Sequence, residues 1–311
     1  MVQKKVYYFP LNHFTFYIKQ KMPLDQSPYF DYDDDEKESG GNEMGFLDHL
    51  EELRWHLIRA ALAIVFFMVF AFIFIGDIYN KVILAPAKTD FWTYRMMCKL
   101  GKFVGAEGLC VDKLNFELMS REVSGQFVMA LTSAAIIGLV FAFPYIFWEI
   151  WRFVKPGLKP TESRSARGAV FYVTLLFFSG VFFGYFIVSP LAINFLVNFQ
   201  IDPSIKNQFD IGSYISILAT LTLACGVAFQ LPVAIFVLTK IGVIGPEFMR
   251  TYRKHAVVVI LIVAAVITPS PDVTSQILVA LPLYILYEVS IIISGREEKR
   301  KLAEEKLSSH L

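Results

Sequence analysis

Four long apolar windows constrain the fold of this chain more than any other feature. Three carry no charge, Phe127–Trp148, Ala169–Val188 and Ile217–Thr239, and the fourth, Leu57–Ile75, carries only Arg59. Each approaches the roughly 20 residues that an α-helix needs to cross a bilayer core of about 30 Å. Composition agrees, because 55% of the 311 residues are hydrophobic and only 18% are charged. The sequence therefore predicts an all-α polytopic membrane protein.

The last hydrophobic block, Ala256–Ile293, is organised differently. Two prolines in ITPSPD (Ile267–Asp272) break any helix that runs through it. Two full spans and a turn would need more than about 40 residues, and the block has 38. We therefore expect a hairpin of two short helices. This gives six transmembrane helices, the last two short, in a concave bundle.

The basic residues near the span ends predict the orientation in the membrane. The connections Glu149–Gly168 and Lys240–His255 carry five and four Lys or Arg residues, and the segment from Gly295 onward carries five. On the opposite side, Pro190–Gly212 carries one. The loop Gly76–Gly125 has seven, but six acidic residues offset them. We predict that both termini are cytoplasmic.

The chain divides into three predicted segments. Residues 1–43 contain the acidic run Asp31–Glu38 and show no clear hydrophobic period, which predicts a disordered acidic N-terminal extension. Residues 44–294 form the six-span membrane domain, and residues 295–311 form a charged cytoplasmic tail.

Several function classes are disfavoured by the sequence. The net charge of +1 argues against a nucleic-acid binder. The chain has no GxSxG, HExxH, GxGD or GxxxxGK[ST] motif and no histidine in the middle of a span, so we expect no enzyme, metal or cofactor. An ion-coupled secondary solute transporter is the alternative function, but it would need ionisable groups near the membrane midplane.

The segment FLDHLEELRWHLIRA (Phe46–Ala60) places acidic residues directly before the first span. Its apolar residues follow i, i+3, i+4 spacing, which is typical of a helix lying at the water–lipid boundary. Polar residues collect at the predicted cytoplasmic end of the bundle, which we call the mouth: Glu51, Glu52, Arg54, Glu149, Arg152 and Glu162. A carboxylate cluster there suits a cationic ligand directed to the membrane; a solvated helix face is the simpler interpretation.

Several stretches, in order, resemble one family, the twin-arginine translocation proteins of the TatC type. The matching stretches are HLEELR (His49–Arg54), FPYIFWEIWRFVKPGLKPTE (Phe143–Glu162), GVAFQLPVAIF (Gly226–Phe236), TPSPDVTSQ (Thr268–Gln276) and PLYILYE (Pro282–Glu288). The resemblance covers about four-fifths of the chain, from Phe46 to Ser294.

This resemblance implies a receptor for the export of folded proteins across the cytoplasmic (inner) membrane. Such a receptor binds signal peptides with two consecutive arginines, forms oligomers in membrane lipid with single-span TatA and TatB subunits, and uses the protonmotive force. By position, Glu52, Arg54, Phe153 and Glu162 match the family's signal-peptide site. Pro86 matches a proline of the first exported loop.

Each of these residues also has a simpler interpretation. Glu52 can pair with His56 within its helix, Glu162 can be a solvated loop residue, and Phe153 can be a packing aromatic. Arg54 can orient Glu51 or a phospholipid, because its own positive charge would repel a cationic peptide.

Four polar residues of the later spans are predicted structural or partner-contact residues. Gln230 replaces a glutamate of some family members and is expected to hydrogen-bond between helices. Asp272 and Gln276 are expected to cap and pin the start of the sixth helix. Glu288 should face protein or water, because a carboxylate exposed to lipid is unfavourable.

Two of the three cysteines, Cys98 and Cys110, lie in the long first exported loop. An oxidising exterior favours a disulfide between them, and two free thiols are the alternative. Cys225 is expected to be a small buried apolar residue.

Overall fold

The computed structural model describes residues 46–105, 110, 116–154, 166–202, 207–240, 242–268 and 273–308. The predicted disordered extension, residues 1–43, lies outside them. The helices are α1 (Phe46–Ile73), α2 (Ile75–Ile78), α3 (Trp92–Val104), α4 (Gly125–Val154), α5 (Ala166–Phe183), α6 (Ser189–Asn198), α7 (Ile211–Ala228), α8 (Leu231–Lys240), α9 (Pro246–Thr251), α10 (Arg253–Ile267) and α11 (Val273–Ser308). The strands are β1 (Glu117–Met119) and β2 (Gln208–Asp210).

Five helical stretches of the described residues are long and apolar enough to cross a membrane. They are Glu51–Ile73, Gly125–Phe153, Val170–Asn198, Ile211–Lys240 and Ser275–Arg300. The third joins α5 to α6 through the π-helical turn Gly184–Val188. The fourth joins α7 to α8 across a break at Phe229 and Gln230, just before Pro232. These stretches confirm an all-helical polytopic membrane protein, while six spans stay a prediction.

The last two predicted spans differ from each other in length. Helix α10 has 15 residues, so it is short as expected. The prediction of a short last helix is wrong, because α11 has 36 residues. Gly295 does not end this helix, and the segment that follows is rich in Arg, Glu, Lys, Leu and Ala, which are strong helix formers. The charged tail therefore continues the last helix as far as Ser308.

Glycines allow the spans to approach closely at two crossings. A Cβ atom at Gly138 of α4 would lie 2.7 Å from the Met68 amide nitrogen of α1. At the start of the π-helical turn, a Cβ at Gly184 would lie 2.9 Å from the Cα of Thr222 in α7. Since both neighbours are backbone atoms, any larger residue would force the helices apart.

The main apolar core lies where α7, α10 and α11 meet the π-helical turn. Its buried side chains include Val188, Leu221, Ile260, Val279 and Leu283. Cys225 is buried in the same core, with 2% of its surface exposed, as expected for a small apolar residue.

The connection after α1 is held against the start of α6 by a buried tyrosine. Tyr94 of α3 is 2% exposed, and its hydroxyl lies 3.1 Å from the Pro86 carbonyl oxygen and 3.0 Å from that of Pro190. Burial raises the pKa of Tyr94, so the hydroxyl remains a donor. Pro86 is itself buried in a short 3₁₀ turn, Ala85–Ala87.

Two long loops meet in a two-stranded parallel sheet. Strand β1 pairs with β2, with Leu118 opposite Phe209. At the end of β2, the Asp210 carboxylate accepts a hydrogen bond of 2.8 Å from the Gly212 amide and so caps α7. In the first loop, Cys98 and Cys110 are joined by a disulfide bond.

Candidate functional site: a buried hydrogen-bonded pair beside an open carboxylate

The predicted mouth contains a compact group of polar and aromatic side chains where α1 crosses the end of α4. We call it the His56 cluster, and its members are Glu52, His56, Arg59, Glu149 and Phe153. His56 Nδ1 donates a hydrogen bond to Glu149 Oε2 across the two helices. The second imidazole nitrogen, Nε2, lies 3.8 Å from Glu52 Oε1, one helical turn earlier. A single imidazole therefore connects two carboxylates.

The centre of the cluster is buried. His56 is 6% exposed and Glu149 is 3% exposed. A buried carboxylate is unfavourable unless it is paired and hydrogen-bonded. Glu149 meets this condition, because Tyr145 also donates to it and Arg59 Nη1 lies 4.0 Å from Oε2.

The edge of the cluster is open. The Glu52 side chain is 36% exposed, in contrast to Glu149. Arg54 is exposed on the same helix, and Glu51 is exposed beside it. Glu52 thus has one side toward His56 and another free to meet a ligand, which is the geometry that a surface acceptor needs.

Phe153 packs against the cluster from the end of α4. Its ring meets the His56 imidazole edge-on, with 6.1 Å between the ring centroids. Because an aromatic ring excludes water, this contact lowers the local dielectric around the polar groups and strengthens their interactions. The structure therefore brings Glu52 and Phe153 to one imidazole, as two of the predicted binding residues.

Two predicted site residues, Glu162 and Asp272, lie outside the described residues. The other predicted structural residues make specific bonds elsewhere in the bundle. Gln230 Nε2 donates to the Val173 carbonyl of α5 at 3.2 Å, and Gln276 Nε2 donates to the Leu261 carbonyl of α10 at 3.1 Å. Glu288 Oε2 accepts a hydrogen bond of 2.9 Å from Arg253, and Oε1 accepts one of 3.1 Å from Tyr284.

The sequence patterns do not predict the centre of the cluster. They indicate Glu149 only as one charge among several at the mouth, and His56 only as a partner for Glu52. The missed signal is the position of Glu149 inside the aromatic run FWEIW, where an unpaired carboxylate would be unfavourable. The sequence alone does not identify the partner of Glu149, because His56 lies 93 positions earlier in the chain.

Comparisons with known proteins agree on one family. The family model described as the Sec-independent protein translocase protein TatC matches residues 48–282. The Sec-independent protein translocase protein TatC of Blattabacterium sp. subsp. Periplaneta americana is 41% identical over 84% of this chain and 98% of its own length. The TatC protein of Carboxydothermus hydrogenoformans is 36% identical over 81% of this chain and 93% of its own.

A solved structure gives the same result. The crystal structure of the twin arginine translocase receptor TatC in DDM superposes with a TM-score of 0.61 and 30% sequence identity, and covers 79% of this chain and 99% of that one. Sequence and fold therefore agree over the same membrane domain, and the chain belongs to the TatC family of Sec-independent protein translocase proteins.

Proposed function

We propose that this protein is the receptor subunit of a twin-arginine translocase and that Glu52 accepts an arginine of the arriving signal peptide. One observation carries the proposal: Glu52 is a half-open carboxylate held next to a buried, hydrogen-bonded pair. The exposed side of Glu52 is available to a guanidinium. The His56–Glu149 bond fixes the helix that presents it.

The chemistry of the acceptor explains a preference for arginine over lysine. A guanidinium donates two parallel hydrogen bonds to one carboxylate, whereas an ammonium acts as a point charge. A hydrogen bond to a charged group contributes about 1.5–3 kcal/mol when it is shielded. A fully exposed ion pair contributes only about 0–1 kcal/mol. Glu52 is partly buried next to His56, which Phe153 contacts, so we expect the larger of these two contributions.

The remaining predicted binding residues complete this proposal. Glu162 supplies a second carboxylate for the other arginine, from the loop after α4. Phe153 shields the bound guanidinium groups. Arg54 orients Glu51 and does not contact the peptide, because two cations would repel each other.

The receptor acts within a larger, non-enzymatic complex. Single-span subunits of the TatA and TatB types are its partners, with the protonmotive force as energy source and the cytoplasmic membrane as location. Both termini are cytoplasmic, so the mouth with the His56 cluster faces the cytoplasm, where precursors with signal peptides are made. Asp272, Gln276, Gln230 and Glu288 keep structural or partner-contact roles, through which subunits can meet the later spans.

Photo-crosslinking tests the assignment of Glu52. A twin-arginine signal peptide with a photoreactive residue next to the arginine pair is mixed with the full-length protein. We expect Glu52→Gln to lower capture about tenfold or more, in line with the loss of a charge-assisted bond. Glu51→Gln is the matched control, since this neighbouring carboxylate is exposed on the same helix, and it should leave capture unchanged. Equal capture by the wild type and Glu52→Gln would contradict the assignment.

A further inference from the structure

A second concavity lies far along α1 from the His56 cluster, where the first span ends. This groove of about 740 Å³ is bounded by the segment after α1 and by α4, α5 and α7. Its size is within the range of about 300–1,000 Å³ typical of small-molecule sites. The groove does not involve any of the predicted signal-peptide residues.

The depth of the groove is apolar. Its aromatic lining includes Phe141, Phe178 and Phe182, and α4 and α7 add aliphatic residues. Phe141 and Phe182 are 56% and 57% exposed. All three belong to helical stretches that are long and apolar enough to cross a membrane. An occupant of this part must therefore be apolar, and a hydrocarbon chain satisfies that condition.

The mouth of the groove is basic. Three cations line it, Lys81, Lys88 and Arg95. Lys81 Nζ bonds Asp77 at 3.0 Å, and Arg95 Nε lies 3.6 Å from Asp90. Lys88 differs from both, because its Nζ donates a hydrogen bond of 3.1 Å to the neutral carbonyl oxygen of Asn80.

Among the residues that the structure describes at the mouth, the charges therefore leave one positive charge, on Lys88. Trp92 lines the same mouth and is 48% exposed. Tryptophan is enriched at the level of the lipid headgroups, which places Lys88 at that depth too. One uncompensated ammonium at headgroup depth, above an apolar groove, is complementary to a phosphodiester with a single negative charge and an attached acyl chain.

We propose that this groove is a binding site for an acidic phospholipid. One acyl chain lies between Phe141, Phe178 and Phe182, and the phosphate accepts a hydrogen bond from Lys88. A zwitterionic phospholipid with the same chains fills the apolar part equally well, but its cationic headgroup cancels the attraction to Lys88. The groove therefore selects lipids by headgroup charge.

Native mass spectrometry of the full-length protein tests this site. Palmitoyl-oleoyl phosphatidylglycerol and palmitoyl-oleoyl phosphatidylcholine are titrated in turn into protein purified in detergent. We expect phosphatidylglycerol to bind about fivefold more tightly, which is the attraction typical of one basic residue near a charged lipid. Lys88→Gln should abolish this preference, so that the two lipids bind with about equal affinity. Lys102→Gln, an exposed lysine of α3 outside the groove, should retain it.

The acyl-chain part of the site has separate tests. Ala219→Trp fills the groove from α7 and should weaken binding of both lipids. Soluble glycerophosphoglycerol, which has the headgroup but no acyl chain, should not displace bound phosphatidylglycerol even at millimolar concentration. This second test uses the wild-type protein, so it can be made even if Ala219→Trp fails to fold.

Three results would overturn the proposal. The first is equal affinity of the wild type for both lipids, and the second is a preference that survives Lys88→Gln. The third is a dimer, detected by its mass in the wild type and absent in Ala219→Trp, together with weak binding of both lipids. This result would mean that a second copy of the chain occupies the groove.

Discussion

Among the described residues, the His56–Glu149 and Arg253–Glu288 pairs each join neighbouring helices, and they differ in how deeply they are buried. His56 and Glu149 link α1 to α4, with side chains that are 7% and 4% exposed. Arg253 and Glu288 link α10 to α11, with side chains that are 48% and 31% exposed. Both pairs set a nitrogen donor on one helix against a carboxylate on the next, and the largest difference between them is burial.

Burial changes what each pair can do. Removing one partner of a buried pair leaves a charge or polar group without compensation, which is strongly destabilising. Removing one partner of an exposed pair lets water take its place. The buried pair therefore fixes the helix that presents Glu52, whereas the exposed pair adds little to stability and is free to exchange partners.

The largest expected effect is the loss of the buried carboxylate. Glu149→Ala leaves His56 buried without its acceptor and should lower the free energy of unfolding by about 3–5 kcal/mol. Thermal unfolding in detergent, followed by circular dichroism, measures the change. Glu288→Ala is the matched control for the exposed pair, and an equal loss in both variants would contradict the role given to burial.

The next effect concerns the other side of the same bond. His56→Gln should lower the free energy of unfolding by about 1.5–3 kcal/mol, less than Glu149→Ala, because Tyr145 and Arg59 still face the carboxylate. The same unfolding measurement checks it. A loss larger than that of Glu149→Ala would show that His56, and not the carboxylate, contributes most of the cluster's share of the free energy of unfolding.

The smallest effect is expected at the exposed pair. Arg253→Gln should lower the free energy of unfolding by about 0–1 kcal/mol, and the difference from the wild type should vanish at 1 M salt, since the Debye length is then about 3 Å. Unfolding at low and high salt measures it. A loss of about 3 kcal/mol that persists in high salt would mean that this pair behaves as a buried one.

The contrast between the two pairs also separates what the sequence predicted from what it did not. The membrane class, the positions of the long spans and the short α10 followed from apolar run length and from the two prolines after Ile267. Run length could not predict that α11 continues past Gly295, because hydropathy falls there while helix propensity stays high.

The site was predictable only at its edge. Glu52 and Phe153 belong to recognisable stretches, so the sequence indicated them individually. The bond between His56 and Glu149 joins residues on two helices, α1 and α4, that approach each other closely at Gly138 and Met68. Such a contact is a property of tertiary packing, which a single sequence does not contain.

Recognition of a guanidinium by Glu52 is the central claim, and a double-mutant cycle tests it most directly. Fluorescence anisotropy measures binding of signal peptides with RR or KK to the wild-type protein and to Glu52→Gln. If Glu52 binds an arginine through two hydrogen bonds, the wild type should prefer RR, and Glu52→Gln should remove about 1.5 kcal/mol or more of that preference. A preference for RR that is unchanged in Glu52→Gln would contradict the claim.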